Sequence, residues 1–377
     1  MYVPTHSAVP PNLSSVSAQT RLVRFLFRIH RWSGLLAGVP LAIILFTGTL
    51  AVFKDEIDQV LNPHLLLVQP TLHRSSLQAA YQLARTTNIR IDIIELPSRH
   101  DRAVSFYGYT PDGTWQQITI DPYRLHILGN RDVRSSFADI LRQLHVRFYF
   151  FGPTGRIVVG LFGLALATSG ITGLLLYPRF IRAHPWRCIR WRRGPQWLWS
   201  DLHKLFGLVS FACNLLWAVT GMVLGLENLG AYWKPVQRAF HPTPTVRATT
   251  FELLTPLDSF IHHAQRIMPE LHPRRISLPS RLGAPIILYG TSQGSWTGES
   301  SSWIAFEPAD GRVLQLHRHQ DAPLLTRMYN YLDPLHFGSF AGLSSQILWF
   351  FFGVLVSLLP VTGLFLWFNK KKFRLGH

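Results

Sequence analysis

The chain has 377 residues, of which 15% are Asp, Glu, Lys or Arg and 47% are hydrophobic, with a formal net charge of +17. A soluble chain carries about 25% charged residues, so one this poor in charge cannot cover itself in water and must turn much of its surface to lipid. Two cysteines exclude a disulfide-scaffolded domain and a thiolate metal cluster.

In chain order, residues 1–31 hold four arginines and no acid, and the uncharged run 32–53 then predicts a first transmembrane helix. Residues 54–140 predict a small outer α+β domain, with a helix over 75–87 and strands over 91–96, 103–109 and 115–120. An interfacial lead-in, 141–156, carries His145 and precedes a second span at 157–178. A basic segment over 179–204 follows, then a third span at 205–226. Residues 227–333 repeat the outer pattern, with a helix over 255–267 and strands over 275–278, 284–289 and 303–306. A second lead-in at 334–343 carries His336, before a last span at 344–369 and a tail at 370–377. The first apolar run is too long for the core of a cleaved signal peptide, and no small-residue cleavage site follows it.

Charge orients this layout. The N-terminus, the 178–204 segment and the tail hold 15 Lys and Arg against one acid, whereas the remainder holds 22 against 19 acids. The positive-inside rule puts the short segments in the cytoplasm and both long ones outside. It also removes the case for nucleic acid as a partner. Arg179, Arg182, Arg187, Arg190, Arg192 and Arg193, interleaved with Trp186, Trp191, Trp197 and Trp199, lie between two spans and face lipid head groups. Cys188 and Cys213 fall in that segment and in the third span, where neither is expected to be oxidised.

The chain repeats internally. His30 with Gly34 opens the first span and His203 with Gly207 the third, and a Thr-Gly pair follows 17 residues after each histidine, at Thr47-Gly48 and Thr220-Gly221. Leu144-His145 and Leu335-His336 are followed 27 and 26 residues later by Thr172-Gly173 and Thr362-Gly363, with Gly163 and Gly353 nine residues before those threonines. The fold class this predicts is a mainly α membrane protein: four transmembrane helices in two parallel repeats, each with a small outer α+β domain.

Two repeat-related pairs of histidines at span entrances suit the axial ligation of haem iron, with neutral donors and no added charge. His30 with His203, and His145 with His336, would hold two b-type haems, while Gly34, Gly207, Gly163 and Gly353 would let a flat macrocycle approach the helix backbone. The Thr-Gly pairs either line a haem edge or permit close helix packing. At about 1.5 Å per residue the 26–27-residue spacing exceeds one span, which puts His145 and His336 in lead-ins at the outer interface. His262-His263, and His317 with His319, follow no such pattern; they could bind a metal in the outer domains, but lone or adjacent surface histidines usually bind nothing. Pro40 and Pro360 are expected to bend their helices.

His30-Arg31-Trp32 with Gly34, Asp201-Leu202-His203, the two Leu-His motifs, the closing Thr-Gly pairs, and the acid-Pro turns at Asp121-Pro122 and Glu307-Pro308 resemble the PepSY-associated transmembrane family. Within it the chain is similar to bacterial inner-membrane ferric-siderophore reductases. Arg124-Leu125-His126 departs from the family's usual hairpin, which Asp310-Gly311 keeps in the second half. The resemblance implies PepSY-like outer domains in the periplasm and electron transfer to iron in a hydroxamate siderophore such as ferrioxamine B. The position of His145 and His336 in lead-ins beside the outer domains makes theirs the pair expected to deliver the electron, and the cleft between those domains the expected seat of the complex. Hydroxamates hold ferric iron strongly and ferrous iron weakly, so one electron releases the metal. No Gly-rich dinucleotide loop follows a strand, which leaves quinol or a separate cytoplasmic reductase as the donor. Arg142, Arg147 and Arg156 would attract an anionic complex or serve as interfacial anchors. Two other classes stay open: a haem-bearing subunit serving another acceptor, and a non-redox interaction or regulatory protein.

Overall fold

The computed structural model describes residues 13–149, 152–177, 189–232, 244, 246–249, 253–292, 296–298 and 300–375. Arg179, Arg182, Trp186, Arg187 and Cys188 lie outside the described residues. In chain order the helices are α1 (Leu13–Leu36), α2 (Gly38–Ala51), α3 (Lys54–Leu61), α4 (Pro63–Leu66), α5 (Leu77–Arg85), α6 (Phe137–Arg147), α7 (Gly152–Leu176), α8 (Pro195–Val209), α9 (Phe211–Leu226), α10 (Leu257–Ile267), α11 (Leu324–Tyr329), α12 (Leu332–Phe337) and α13 (Leu343–Leu375). The strands are β1 (Arg90–Glu95), β2 (Val104–Tyr109), β3 (Trp115–Asp121), β4 (His126–Asp132), β5 (Leu271–Ser277), β6 (Ile286–Ser292), β7 (Ser302–Phe306) and β8 (Val313–His317). Contacts divide the chain into one unit of Met1–Leu45, Leu161–Val219 and Val354–His377, and another of Phe46–Gly160 and Thr220–Gly353.

The expected fold class needs correction at both levels. Among the described residues three helices are long and apolar enough to cross a membrane, Thr154–Leu176, Phe211–Gly230 and Leu343–Asn369. The first expected span is instead a pair of helices, α1 and α2, bent by 65° at their break. Pro40 explains it: proline has no N–H to offer the Leu36 carbonyl, and its ring clashes with that group. Pro360, by contrast, sits inside the unbroken α13. The third expected span starts later than its uncharged run, because α8 stops at Val209 and the crossing helix begins at Phe211. At the junction the Ser210 hydroxyl donates to the Phe206 carbonyl at 2.6 Å, a back-bond that favours a local bend.

The first unit packs on Ala37, Leu41, Leu166, Ala218 and Val356, all buried. Leu161, Leu164, Ile171 and Leu175 remain exposed along α7. An apolar face of that length belongs in lipid.

The second correction concerns the outer segments, which are not two small domains flanking a cleft. Their strands form one eight-stranded antiparallel sheet in the order β4-β3-β2-β1-β5-β6-β7-β8. The central pairing matches Ile93 with Ser277, Ile94 with Ile276 and Glu95 with Arg275. Either meander alone would leave β1 or β5 as a bare edge with unpaired backbone groups, and joining them satisfies both. The core under the sheet includes Ile94, Phe106, Ile118, Ile276, Leu288, Ile304 and Phe306, covered by Ala80 and Ala84 of α5 and by Leu257, Phe260 and Ala264 of α10. The two helices also cap each other. Asp258 accepts from Leu77 N and Gln78 N at 2.8 and 2.9 Å, and Gln78 Oε1 accepts from Leu257 N at 3.0 Å. Each exchange satisfies N–H groups that a helix start leaves without partners. A buried ion pair ties α3 to β4, with Arg131 donating to both carboxylate oxygens of Asp58 and through Nε to Gln117 Oε1 at 2.7 Å.

Candidate functional site

In the first unit, α1 supplies His30 and α8 supplies His203, with ring centroids 6.2 Å apart and planes at 75°. His30 Nδ1 lies 3.0 Å from the Ser169 carbonyl and 3.2 Å from Thr172 Oγ1. A carbonyl only accepts, so Nδ1 carries the proton. His203 Nδ1 lies 2.8 Å from Thr362 Oγ1, whose own hydrogen goes to the Leu358 carbonyl at 2.8 Å. With its hydroxyl turned to that carbonyl, the threonine offers its lone pairs, and His203 Nδ1 would be the donor as well. Both rings keep Nε2 as a bare lone pair. Two such nitrogens cannot hydrogen-bond to each other; what they can share is an electron-pair acceptor.

In the second unit, His145 in the last turn of α6 and His336 in α12 have centroids 5.9 Å apart and planes at 45°. His336 Nδ1 pairs with Thr220 Oγ1 at 2.8 Å. Burial, reinforced by the neighbouring His145, holds the His336 pKa down to about 3, so the ring is a neutral donor at ordinary pH. Helix α6 ends two residues after His145, at Arg147, and Phe148 and Tyr149 then adopt φ of 51° and 62°.

Each Thr-Gly pair seats one histidine. A Cβ on Gly173 would lie 3.2 Å from His30 Cε1, on Gly363 3.6 Å from His203 Cε1, on Gly221 3.5 Å from His336 Cε1, and on Gly48 2.5 Å from His145 Cε1. Sequence spacing left these pairs open between two roles, and their part as seats for the imidazoles was missed. The seat lies on a different helix from its histidine in every case, so no local motif links them.

The pairs fit haem iron. Centroids 6.2 and 5.9 Å apart leave room between the rings for an iron bonded to both imidazoles at about 2 Å. A ligating histidine also needs its other nitrogen fixed by a hydrogen bond, which Thr172, Thr362 and Thr220 supply.

A model of the PepSY-associated TM region matches residues 27–370. The chain belongs to the PepSY-associated transmembrane family. It is a membrane protein, with three apolar helices of spanning length among its described residues. An uncharacterized protein of Pseudomonas aeruginosa is 27% identical over 256 residues, which cover 62% of this chain and 64% of that relative. The chain thus spans just under two thirds of the length of the curated relative it matches.

The other residues singled out in this family member fall as follows. Gly34 and Gly207 line a cavity with His30 and His203. Gly353 meets Thr49 instead, 2.6 Å from a would-be Cβ, which marks a tight helix contact; Gly163 lies on α7. The Asp121 and Glu307 carboxylates turn inward to backbone N–H groups, Asp121 to Tyr123 and Arg124, Glu307 to Thr249. Asp121 thus closes its own turn, whereas Glu307 ties in the backbone of the distant Thr249. His263 Nδ1 meets the Gly311 carbonyl, His317 stacks on Trp303, and His319 lies between Asn330 and Tyr331. His262 lies on α10. Arg142 is paired with Asp139, Arg156 with Asn228, and the buried Nε of Arg147 has no hydrogen-bond partner among the described residues. Asp201 is held by Arg190 through both carboxylate oxygens, at 2.7 and 2.9 Å.

Proposed function

We propose that the chain is a bacterial inner-membrane oxidoreductase with two bis-histidine b haems, which passes electrons across the membrane to ferric iron in a periplasmic siderophore and releases it as Fe(II). The reading rests on one observation above the others: two half-buried pairs of imidazoles with centroids 6.2 and 5.9 Å apart, the first with both Nδ1 atoms held in hydrogen bonds. When bound, haem would supply reversible one-electron chemistry without proton transfer.

The chain's own residues do the rest. Thr172, Thr362 and Thr220 orient the rings by their hydrogen bonds and raise the basicity of the nitrogen left for iron. With two imidazoles held for each iron, the chain's own residues would leave no place there for water or small ligands. His145 and His336 serve the periplasmic pair in this proposal, and the cytoplasmic pair, His30 and His203, takes electrons from quinol or a cytoplasmic reductase. The substrate is a hydroxamate complex of the ferrioxamine B type, in keeping with the resemblance to the ferrioxamine reductase FoxB. Both termini would then be cytoplasmic, and the sheet periplasmic.

The test is reoxidation. The purified protein, reduced with dithionite under anaerobic conditions, should show low-spin b-type bands that decay when ferrioxamine B is added, with Fe(II) trapped by a ferrous chelator in equal amount. Stable reduced bands in excess ferrioxamine B would rule out this substrate.

A further inference from the structure

Helix α12, which carries His336, has only six residues, Leu332–Phe337, whereas the eleven-residue α6 runs unbroken from Phe137 through His145. A helix as short as α12 has little stability of its own, so the pose of His336 depends on how the segment before it is held. That segment, Tyr329–Tyr331, is gripped from two sides. On the side of α9 the Tyr329 hydroxyl donates to Glu227, the residue directly after that helix. Thr220 of the same helix pairs with His336 at 2.8 Å. Glu227 follows Thr220 by seven residues and Tyr329 precedes His336 by seven. The chain from Tyr329 to His336 therefore runs antiparallel along two turns of α9, about 10 Å, and is fastened at both ends.

On the side of the sheet the grip is His319. Its ring is buried, and its backbone N–H donates to Ser302 Oγ of β7 at 3.1 Å. Nδ1 lies 3.0 Å from Asn330 Nδ2, and Nε2 lies 3.3 Å from the Tyr331 hydroxyl. An amide N–H only donates, so Nδ1 accepts and Nε2 is the donor. Burial, with Arg327 and His317 close by, lowers the His319 pKa and keeps the ring in the neutral form that this arrangement needs. The Asn330 carbonyl accepts from Gly298 N–H at 2.9 Å, and the Tyr331 ring centroid lies 4.9 Å from that of Trp296.

We propose that His319 and Glu227 are positioning residues for His336: by clamping Tyr329–Tyr331 between the sheet and α9 they set the angle of its imidazole, and with it the electronic state of the haem that His145 and His336 share. A change in the sheet then reaches this haem and not the one at His30 and His203. The inference rests on the haem reading above.

The test is electron paramagnetic resonance of the oxidised full-length protein in nanodiscs, because the principal g values of a bis-histidine iron vary with the angle between its imidazole planes. The signal in question is the low-spin one that His145→Ala abolishes. Tyr329→Phe and His319→Ala should each shift its largest g value at unchanged haem content and leave the other low-spin signal in place. His319→Gln, whose amide can accept from Asn330 and donate to Tyr331, should keep the wild-type signal, as should Glu227→Gln, which retains an acceptor for Tyr329. Should His319→Ala fail to fold, Tyr329→Phe, which removes a single hydroxyl, decides. Wild-type g values in Tyr329→Phe, equal shifts of both haem signals, or a His319→Gln signal displaced as far as that of His319→Ala would overturn the assignment. A wild-type chain without the His145-dependent signal would remove the proposed function and this inference together. That signal, present but unmoved by the variants, would remove this inference only.

Discussion

The two histidine pairs share a spacing and differ in their surroundings. His30 and His203 open onto a cavity of about 510 Å³, and the glycines behind them leave 3.2 and 3.6 Å to a would-be Cβ. Around His145 and His336 the backbone is closer. Gly48 would put a Cβ 2.5 Å from His145, and near this pair's end of α7 and α9 Gly160 and Gly225 approach until each added Cβ would fall within 3 Å of the other's Cα. The same ligand geometry is thus built once around space and once around tight helix contacts. The first pair depends on what fills its cavity, and the second on residues that must stay small.

The largest effects should follow loss of a ligand. His30→Ala and His203→Ala should each remove the same haem, and His145→Ala and His336→Ala the other, as read by pyridine haemochrome content and the reduced spectrum. A mutant lacking the haem that its pair-mate also lacks supports the pairing; one that keeps it breaks the comparison.

Next come the seats. Gly48→Ala should displace His145 and destabilise the protein by about 1–3 kcal/mol, the usual range for overpacking, with loss or broadening of one haem signal. Gly363→Ala, at ordinary contact distance, should leave its haem in place. Equal effects of the two substitutions would mean that the difference in crowding has no consequence.

A smaller effect is expected outside both pairs, at the Asp58–Arg131 contact. Burial alone would raise the Asp58 pKa, but the hydrogen bonds and charge of Arg131, with Asn62 and Lys54, pull it below its ordinary value. A carboxylate depressed in the folded state stabilises above its unfolded pKa, near 4, and that contribution fades as pH falls through the folded value. Asp58→Ala should therefore cost about 2 kcal/mol at pH 7, the range of hydrogen bonds to a charged group, and the melting difference from wild type should shrink below pH 4. A difference independent of pH would show that the pair is not what the substitution removes. The mildest effect is at the shared helix cap: Asp258→Ala should cost about 1–2 kcal/mol, the loss typical of a capping side chain.

Parts of this were legible in the sequence. The four histidines stood out because the repeat set His30 against His203 and His145 against His336, and strands such as β2 and β3 followed from alternation. The β1–β5 pairing was not legible, because Ile94 and Ile276 lie far apart in the chain and nothing local distinguishes an edge strand from a central one. The break before α2 was partly visible in Pro40, but its size depends on packing around Ala37 and Leu41. The seating of His30 on Thr172 and of His203 on Thr362 joins separate helices, which periodicity within one helix cannot reveal.

The central claim is that each pair of imidazoles binds one haem iron. Haem quantitation with electron paramagnetic resonance of the oxidised full-length protein tests it most directly. The account predicts two haems per chain, both low-spin, with no high-spin signal and almost no change in the reduced spectrum under carbon monoxide. One haem or none per chain, or a high-spin iron that binds carbon monoxide, would contradict it.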